Sequence, residues 1–127
     1  MKIDDPRVVA EVERAFARYE AALVGNDVAA LNELFWQSPL TIRYGIGENL
    51  YGSDEIGAFR AARSPAGLAR RLSRTVITTY GDDFATAATL FHRDSALGKI
   101  GRQMQSWVRF PNGWRIVAAH VSLIDAA

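Results

Sequence analysis

Residues 70–124 read RRLSRTVITTYGDDFATAATLFHRDSALGKIGRQMQSWVRFPNGWRIVAAHVSLI. Hydrophobicity here recurs every second residue, and β-branched and aromatic side chains dominate, which is the pattern of strands with one buried face. Three breaks interrupt it: Gly81-Asp82-Asp83, Asp94 to Gly98, and Pro111-Asn112-Gly113. Each is short enough for a hairpin, so the segment predicts four antiparallel strands: RRLSRTVITTYG, DFATAATLFHR, IGRQMQSWVRF and WRIVAAHVSLI.

Upstream the period changes. Asp5 is placed to cap and Pro6 to open a helix, and Val8, Val12, Ala15, Phe16, Tyr19 and Leu23 then share one helical face up to Gly25. Asn26 or Asp27 caps a second helix with an apolar stripe of Val28, Leu31, Leu34 and Phe35, and the short turn predicts a helical hairpin. LTIRYG at 40–45 alternates as a short strand, and glycines at 45, 47 and 52 interrupt the residues after it. Ser53 then caps a third helix, with Asp54 and Glu55 in its first turn and Ile56 and Phe59 on its buried side, ending near Ser64-Pro65. The order of elements gives an α+β class: a single domain over 1–127 in which a curved antiparallel sheet wraps N-terminal helices as a cone-shaped barrel around a cavity.

At 127 residues, 49% of them apolar, the chain has the size of one ordinary domain. It has no cysteine, which removes disulfides, thiolate metal sites and a cysteine nucleophile. The two histidines, His92 and His120, lie far apart with no carboxylate at ligand spacing, so neither a metal nor another cofactor is expected. GIGENLYG lacks the frame of a phosphate loop, and no GxSxG elbow is present. Net charge is +1, and Arg7, Arg14, Arg18, Arg60, Arg63, Arg70, Arg71 and Arg74 are spread among acids, so they are expected in solvent and no nucleic-acid-binding face is expected. No apolar run approaches the roughly 20 residues of a membrane span, and no signal peptide is evident, which points to the cytoplasm.

Several side chains are candidates for chemistry. Tyr19 shares the buried face of the first helix, either as a core ring with its hydroxyl at the rim or as a proton donor into the cavity. Arg43 alternates with Ile42 and Tyr44 and shares the face of Thr41; it is inert if that face meets solvent and an anion clamp if it lines the cavity. Gln103, Gln105, Trp107 and Arg109 share one face of the third long strand, opposite Arg102, Met104, Ser106 and Val108. His120 and Ser122 share a face with Ile116 and Ala118, so His120 is either a base or a structural histidine.

The order of elements, closed by WRIVAAHVSLI, resembles the SnoaL-like, nuclear-transport-factor-like cone superfamily. Within it, the words LFW.SP.T.RYG..ENLYG...I..FR..R across Leu34 to Arg63, L.RTVITTYG.DFATA across Leu72 to Ala87 and GRQ.Q.WVR...GWR.VAAHVS across Gly101 to Ser122 resemble the AtzH-like branch. The resemblance implies a metal-free hydrolase that converts dicarboxyurea to allophanate, as in cyanuric acid breakdown, or acts on a related small anionic urea or amide. It implies functional roles for two positions, Tyr19 and Arg43; Trp36, Gln103, Gln105, Trp107 and His120 are candidates for substrate binding. Met104 departs from a small polar residue expected between the glutamines, but on the opposite face. Members of this branch are typically encoded beside an amidase, so a non-catalytic amidase partner is the alternative; an isomerase or dehydratase of the wider superfamily is another, with His120 as its base. A homo-oligomer, dimer or higher, is expected through the open sheet face.

Overall fold

The computed structural model describes residues 1–127. Helix α1 spans Pro6–Val24 and α2 Val28–Leu34. Asp5 accepts a hydrogen bond from the Arg7 amide at 3.0 Å and Pro6 opens α1, as its sequence requires. Of the two candidates for the α2 cap, Asp27 takes the role, accepting from the Ala30 amide at 3.1 Å. Asn26 instead sits at φ +46°, a left-handed conformation in which asparagine is enriched.

The remaining elements are β1 (Ile42–Tyr44), β2 (Asn49–Tyr51), α3 (Ser53–Ala62), β3 (Arg71–Tyr80), β4 (Phe84–His92), β5 (Lys99–Phe110) and β6 (Gly113–Asp125), with a 3-10 turn at Asp94–Ala96. The glycine-broken stretch therefore holds one further short strand, β2. Ser53 is the first residue of α3 and not its cap: Gly52, at φ +87°, occupies that position, and no side chain caps the helix.

The sheet order is β2-β1-β6-β5-β4-β3. Neighbours are antiparallel except β1 and β6, which run parallel with Arg43 opposite Ala119, so the sheet is mixed and stays open between its edges β2 and β3. The four long strands are the predicted hairpins, and Phe110 pairs with Gly113 across Pro111-Asn112. One irregularity decides which residues face inward. Trp107 pairs with Ile116 and Ser106 with Ala118, which leaves Val117 unpaired as a β-bulge. A single extra residue exchanges the two faces of a strand, so Ile116 is buried while Ala118, His120 and Ser122 turn to the other side.

The helices cover the opposite, inner face. Val8, Val12, Phe16, Tyr19 and Leu23 of α1, with Leu31, Leu34, Phe35 and Ile56, join Ala85, Ala87, Trp107, Trp114, Ile116 and Ala119 of the sheet in one buried cluster. Each large apolar side chain so buried stabilises the fold by about 1.5–3 kcal/mol, which fixes α1 against the sheet. The Trp114 indole donates to Glu11 at 3.0 Å and ties β6 to α1 as well. Edge strand β3 is shielded by Asp4, whose amide donates to the Thr79 carbonyl at 3.0 Å while its carboxylate accepts from the Thr79 amide at 2.9 Å. No helix is long and apolar enough to cross a membrane.

Candidate functional site

The register of the sheet sets out the interior. Arg43, Ala119, Gln105 and Ala87 form one row across β1, β6, β5 and β4. All four are buried, and Thr41, two residues before Arg43, is as well. Strands lie about 4.8 Å apart, so Arg43 and Gln105 stand about 10 Å from each other with only the Ala119 methyl group between them. The neighbouring row carries Val121, Gln103 and Thr89. Tyr19 descends on this face from α1 with its ring 6.2 Å from that of Phe35. Of the predicted positions, Tyr19, Arg43, Gln103, Gln105 and Trp107 thus share the inner face, each no more than 6% exposed.

Helix α3 adds residues that the composition had suggested lie in solvent. Ile56, Arg60 and Arg63 recur at the spacing of one helical face, so burying Ile56 carries both arginines inward. Arg60 is 1% exposed, its guanidinium carbon lies 4.1 Å from the centre of the Phe35 ring, and none of its three side-chain nitrogens has an acceptor. Arg63 and Arg43 both approach the Phe59 ring, at 5.4 and 5.5 Å. Arg63 Nη2 donates to Asn26 Oδ1 at 3.0 Å, and its Nε is unpaired. From the other end of the sheet, Arg70 and Arg93 approach the Phe91 ring at 4.6 and 4.9 Å. That ring lies across Gly101, where a Cβ would collide with its edge, so glycine is what lets it lie there. The expectation of solvated arginines therefore fails for Arg60, Arg63 and Arg70, which lie against the Phe35, Phe59 and Phe91 rings, Arg70 with Glu20 as well.

Two of these cations have a carboxylate. Arg43 Nη1 pairs with Glu48 Oε1 at 2.8 Å, and Glu48 also accepts from the Gly47 amide at 3.1 Å. A Cβ on Gly45 would collide with that carboxylate and lie 2.9 Å from Arg43 Nη1, so the pair depends on glycine there. Arg70 forks Glu20, with Nε to Oε2 at 3.1 Å, and its Nη2 also reaches Gln103 Oε1 at 2.8 Å. Arg60, Arg63 and Arg93 have no ion-pair partner in the chain.

The electrostatics reflect that imbalance. Burial pushes Arg60 down to about 10, with relief from the Tyr19 hydroxyl and further depression by Arg43 and Arg63, and leaves it cationic at neutral pH. Burial likewise lowers Arg63, with Arg43 adding to the effect, and lowers Arg93, with Arg70 and Arg43 adding to it. Tyr19 opposes the depression in all three groups, and Arg43 adds to it in all three. The buried polar atoms left unpaired are Arg60 Nε, Nη1 and Nη2, Arg63 Nε, Arg93 Nε, Gln103 Nε2 and Gln105 Nε2, together with the Thr79 hydroxyl. Nearly all are nitrogen donors. Donors of this kind can bind an acceptor, and guanidiniums without a carboxylate suit an anion best.

Three predicted positions lie elsewhere. His120 is exposed on the outer face, where its ring meets Tyr44 edge-on at 6.2 Å, as the Val117 bulge dictates. Trp36 stacks on Phe110 at 5.2 Å in a surface groove bordered by Glu33, Gln37 and Arg115 that contains neither Tyr19 nor Arg43. Arg109 remains exposed and pairs with Asp83 at 2.9 Å. The signal for Arg60 and Arg63 was present in the helical spacing from Ile56. For Arg93, just past the end of a strand, no local pattern marked it.

The AtzH-like family matches residues 1–127. The chain is similar to a solved protein of unknown function from Pectobacterium atrosepticum, at 62% identity and a TM-score of 0.94, covering 97% of this chain and 95% of that one. A cystatin-like fold protein from Burkholderia xenovorans is 50% identical with a TM-score of 0.96, covering 100% and 99%. At the level of fold alone, an NTF2-like protein with a cystatin-like fold from Novosphingobium aromaticivorans matches at 22% identity and a TM-score of 0.72, over 96% of this chain and 85% of that one. No curated protein is similar enough to count as a match.

Proposed function

The chain belongs to the AtzH-like family over its full length, and from that premise we propose that it is an enzyme that binds a small N-carboxylated urea or amide and cleaves one of its carbon–nitrogen bonds. One observation supports the reading: Tyr19 and Arg43 are both buried on the inner side of the sheet, where Arg60 is buried without an acceptor and neither Arg60 nor Arg63 has an ion-pair partner. For dicarboxyurea the reaction balances simply. The bond between a terminal carboxylate carbon and its nitrogen breaks, its electron pair stays on nitrogen, a proton is delivered there, and carbon dioxide and allophanate result. Capture of the departing carbon by water would give bicarbonate with the same proton count at nitrogen.

In this reading Arg43 orients the carboxylate and Tyr19 supplies the proton from its hydroxyl, which regains one from solvent. Gln103 and Gln105 offer unpaired Nε2 donors to carbonyl and carboxylate oxygens. The isomerase or dehydratase alternative loses its candidate base, since His120 is on the outer face. The test is release of carbon dioxide and allophanate from dicarboxyurea by purified protein. Tyr19→Phe and Arg43→Ala are each expected to lower kcat/KM by about 100-fold or more, the range for losing a proton donor or an oriented charge. Undiminished turnover in both variants would remove these roles. Absence of turnover in the native protein would leave the amidase-partner alternative in its place.

A further inference from the structure

We propose that Arg60 is the residue on which the anionic ligand of this interior docks, and that its unpaired charge destabilises the protein until the ligand arrives. The proposal rests on the reading that this interior receives the ligand, but not on which bond is then cleaved. The two guanidiniums whose charges act on Arg60 each have a polar partner in the chain: Arg43 has Glu48, and Arg63 has Asn26. Arg60 has none of these. Its Nε, Nη1 and Nη2 lack acceptors, and its guanidinium lies over the Phe35 face at 4.1 Å. A ring face attracts a cation but returns only part of the hydration that a fully buried guanidinium gives up.

The side chain is also held ready. The Arg60 carbonyl accepts from Asn26 Nδ2 at 3.1 Å, and the Arg63 carbonyl accepts from the same nitrogen at 2.9 Å, which pins the end of α3 to the α1–α2 turn. A guanidinium presented from a fixed helix end loses little freedom when it binds. What the same side chain does when the protein supplies a carboxylate is visible on the surface: Arg18 forks Glu33 through both Nη atoms, at 3.3 and 2.8 Å. The interior gives Arg60 no such carboxylate, and the unpaired amides of Gln103 and Gln105 present further donors and no competing anion. A carboxylate brought by the ligand matches the planar fork of Arg60 in charge and shape.

The probe is malonate, a small dicarboxylate with no carbon–nitrogen bond to cleave, titrated calorimetrically into native protein, Arg60→Met, Arg60→Lys and, as a surface control, Arg18→Met. Affinity is expected to fall about 30-fold in Arg60→Met and about 10-fold in Arg60→Lys, and to stay within about twofold in Arg18→Met, the scale of losing charge-assisted hydrogen bonds. Without malonate, Arg60→Met is expected to melt a few degrees above native, because an unpaired buried charge has been replaced by an apolar chain. A merely structural arginine would do the reverse, and melting well below native, or failure to fold, refutes the destabilisation. In that case Arg60→Lys decides the docking role. Docking is overturned if native protein binds no malonate or if the Arg60 variants bind it within about threefold of native. Because malonate is not turned over, these results stand apart from the outcome of the dicarboxyurea assay.

Discussion

The two faces of the β5–β6 hairpin carry polar residues under opposite conditions. On the inner face Gln103 and Gln105 are 1% and 2% exposed, each with an unpaired Nε2. On the outer face Arg102 donates to Ser122 at 3.3 Å, and Met104 and His120 stand exposed. Both faces contain polar side chains, so polarity alone does not distinguish them. What differs is that solvent completes the hydrogen bonding outside and nothing in the chain completes it inside. Buried polar groups are nearly always satisfied in native proteins, so a concentration of unmet donors of one kind calls for an acceptor from outside the chain.

Trp107→Ala tests that contrast most severely. Its indole is fully buried and donates to Gln105 Oε1 at 3.0 Å, so truncation opens a cavity and releases another polar group into it. A loss of about 3–5 kcal/mol is expected in denaturant unfolding, against no more than about 0.5 kcal/mol for Met104→Ala on the outer face. Equal losses would mean that the two faces are not energetically distinct.

Ala119→Leu probes the gap in the row between Arg43 and Gln105. Filling it should cost about 1–3 kcal/mol of stability through overpacking. Turnover should fall by about 100-fold, because the added chain occupies the space between groups that must converge on the ligand. Ala118→Leu, one residue away on the outer face, is expected to leave turnover unchanged. If Ala119→Leu turns over as well as native, the ligand does not lie across this row.

Asn26→Ala has a smaller expected effect. It removes the hydrogen bonds to the Arg60 and Arg63 carbonyls at 3.1 and 2.9 Å and the acceptor of Arg63 Nη2 at 3.0 Å, and it places alanine at φ +46°. A destabilisation of about 2–3 kcal/mol is expected. Asn26→Gly relieves the backbone strain alone, so its recovery relative to alanine separates conformation from hydrogen bonding. Complete recovery by glycine would show that Asn26 acts through its backbone and does not position the arginines.

Local rules made most of the fold legible. Asp5 and Pro6 start α1, the period-two pattern gives β3 to β6, and Pro111-Asn112-Gly113 closes the last hairpin where its turn chemistry says it should. The parallel pairing of β1 with β6 joins Ile42 to Ala118, a contact set by tertiary packing that no local pattern encodes. The site was legible only in part. Arg43 reads as facing inward from alternation and family resemblance, whereas Arg60 shares the buried face of Ile56 in α3 and Arg63 lies half-buried just past its end, against the rule that charged residues are rarely buried. That rule fails for Arg60, which is buried with no acceptor in the chain. Glu48 gave no sign that it would pair with Arg43, since the contact depends on Gly45 leaving room for it.

His120→Ala is expected to have the smallest effect. Counting alternately from Ile116 puts His120 inside, as a base for isomerase or dehydratase chemistry; the unpaired Val117 puts it outside, against Tyr44. The two placements predict different kinetics. An interior base would lose about 100-fold or more in kcat/KM on truncation, and an outer-face imidazole should lose nothing beyond about twofold, with stability changed by no more than about 0.5 kcal/mol. The sharper measurement is the pH dependence of kcat/KM, which should be the same in native protein and His120→Ala. A limb of that profile lost with the imidazole would return His120 to the reaction, and the bulge could then no longer be used to assign the inner face of β6.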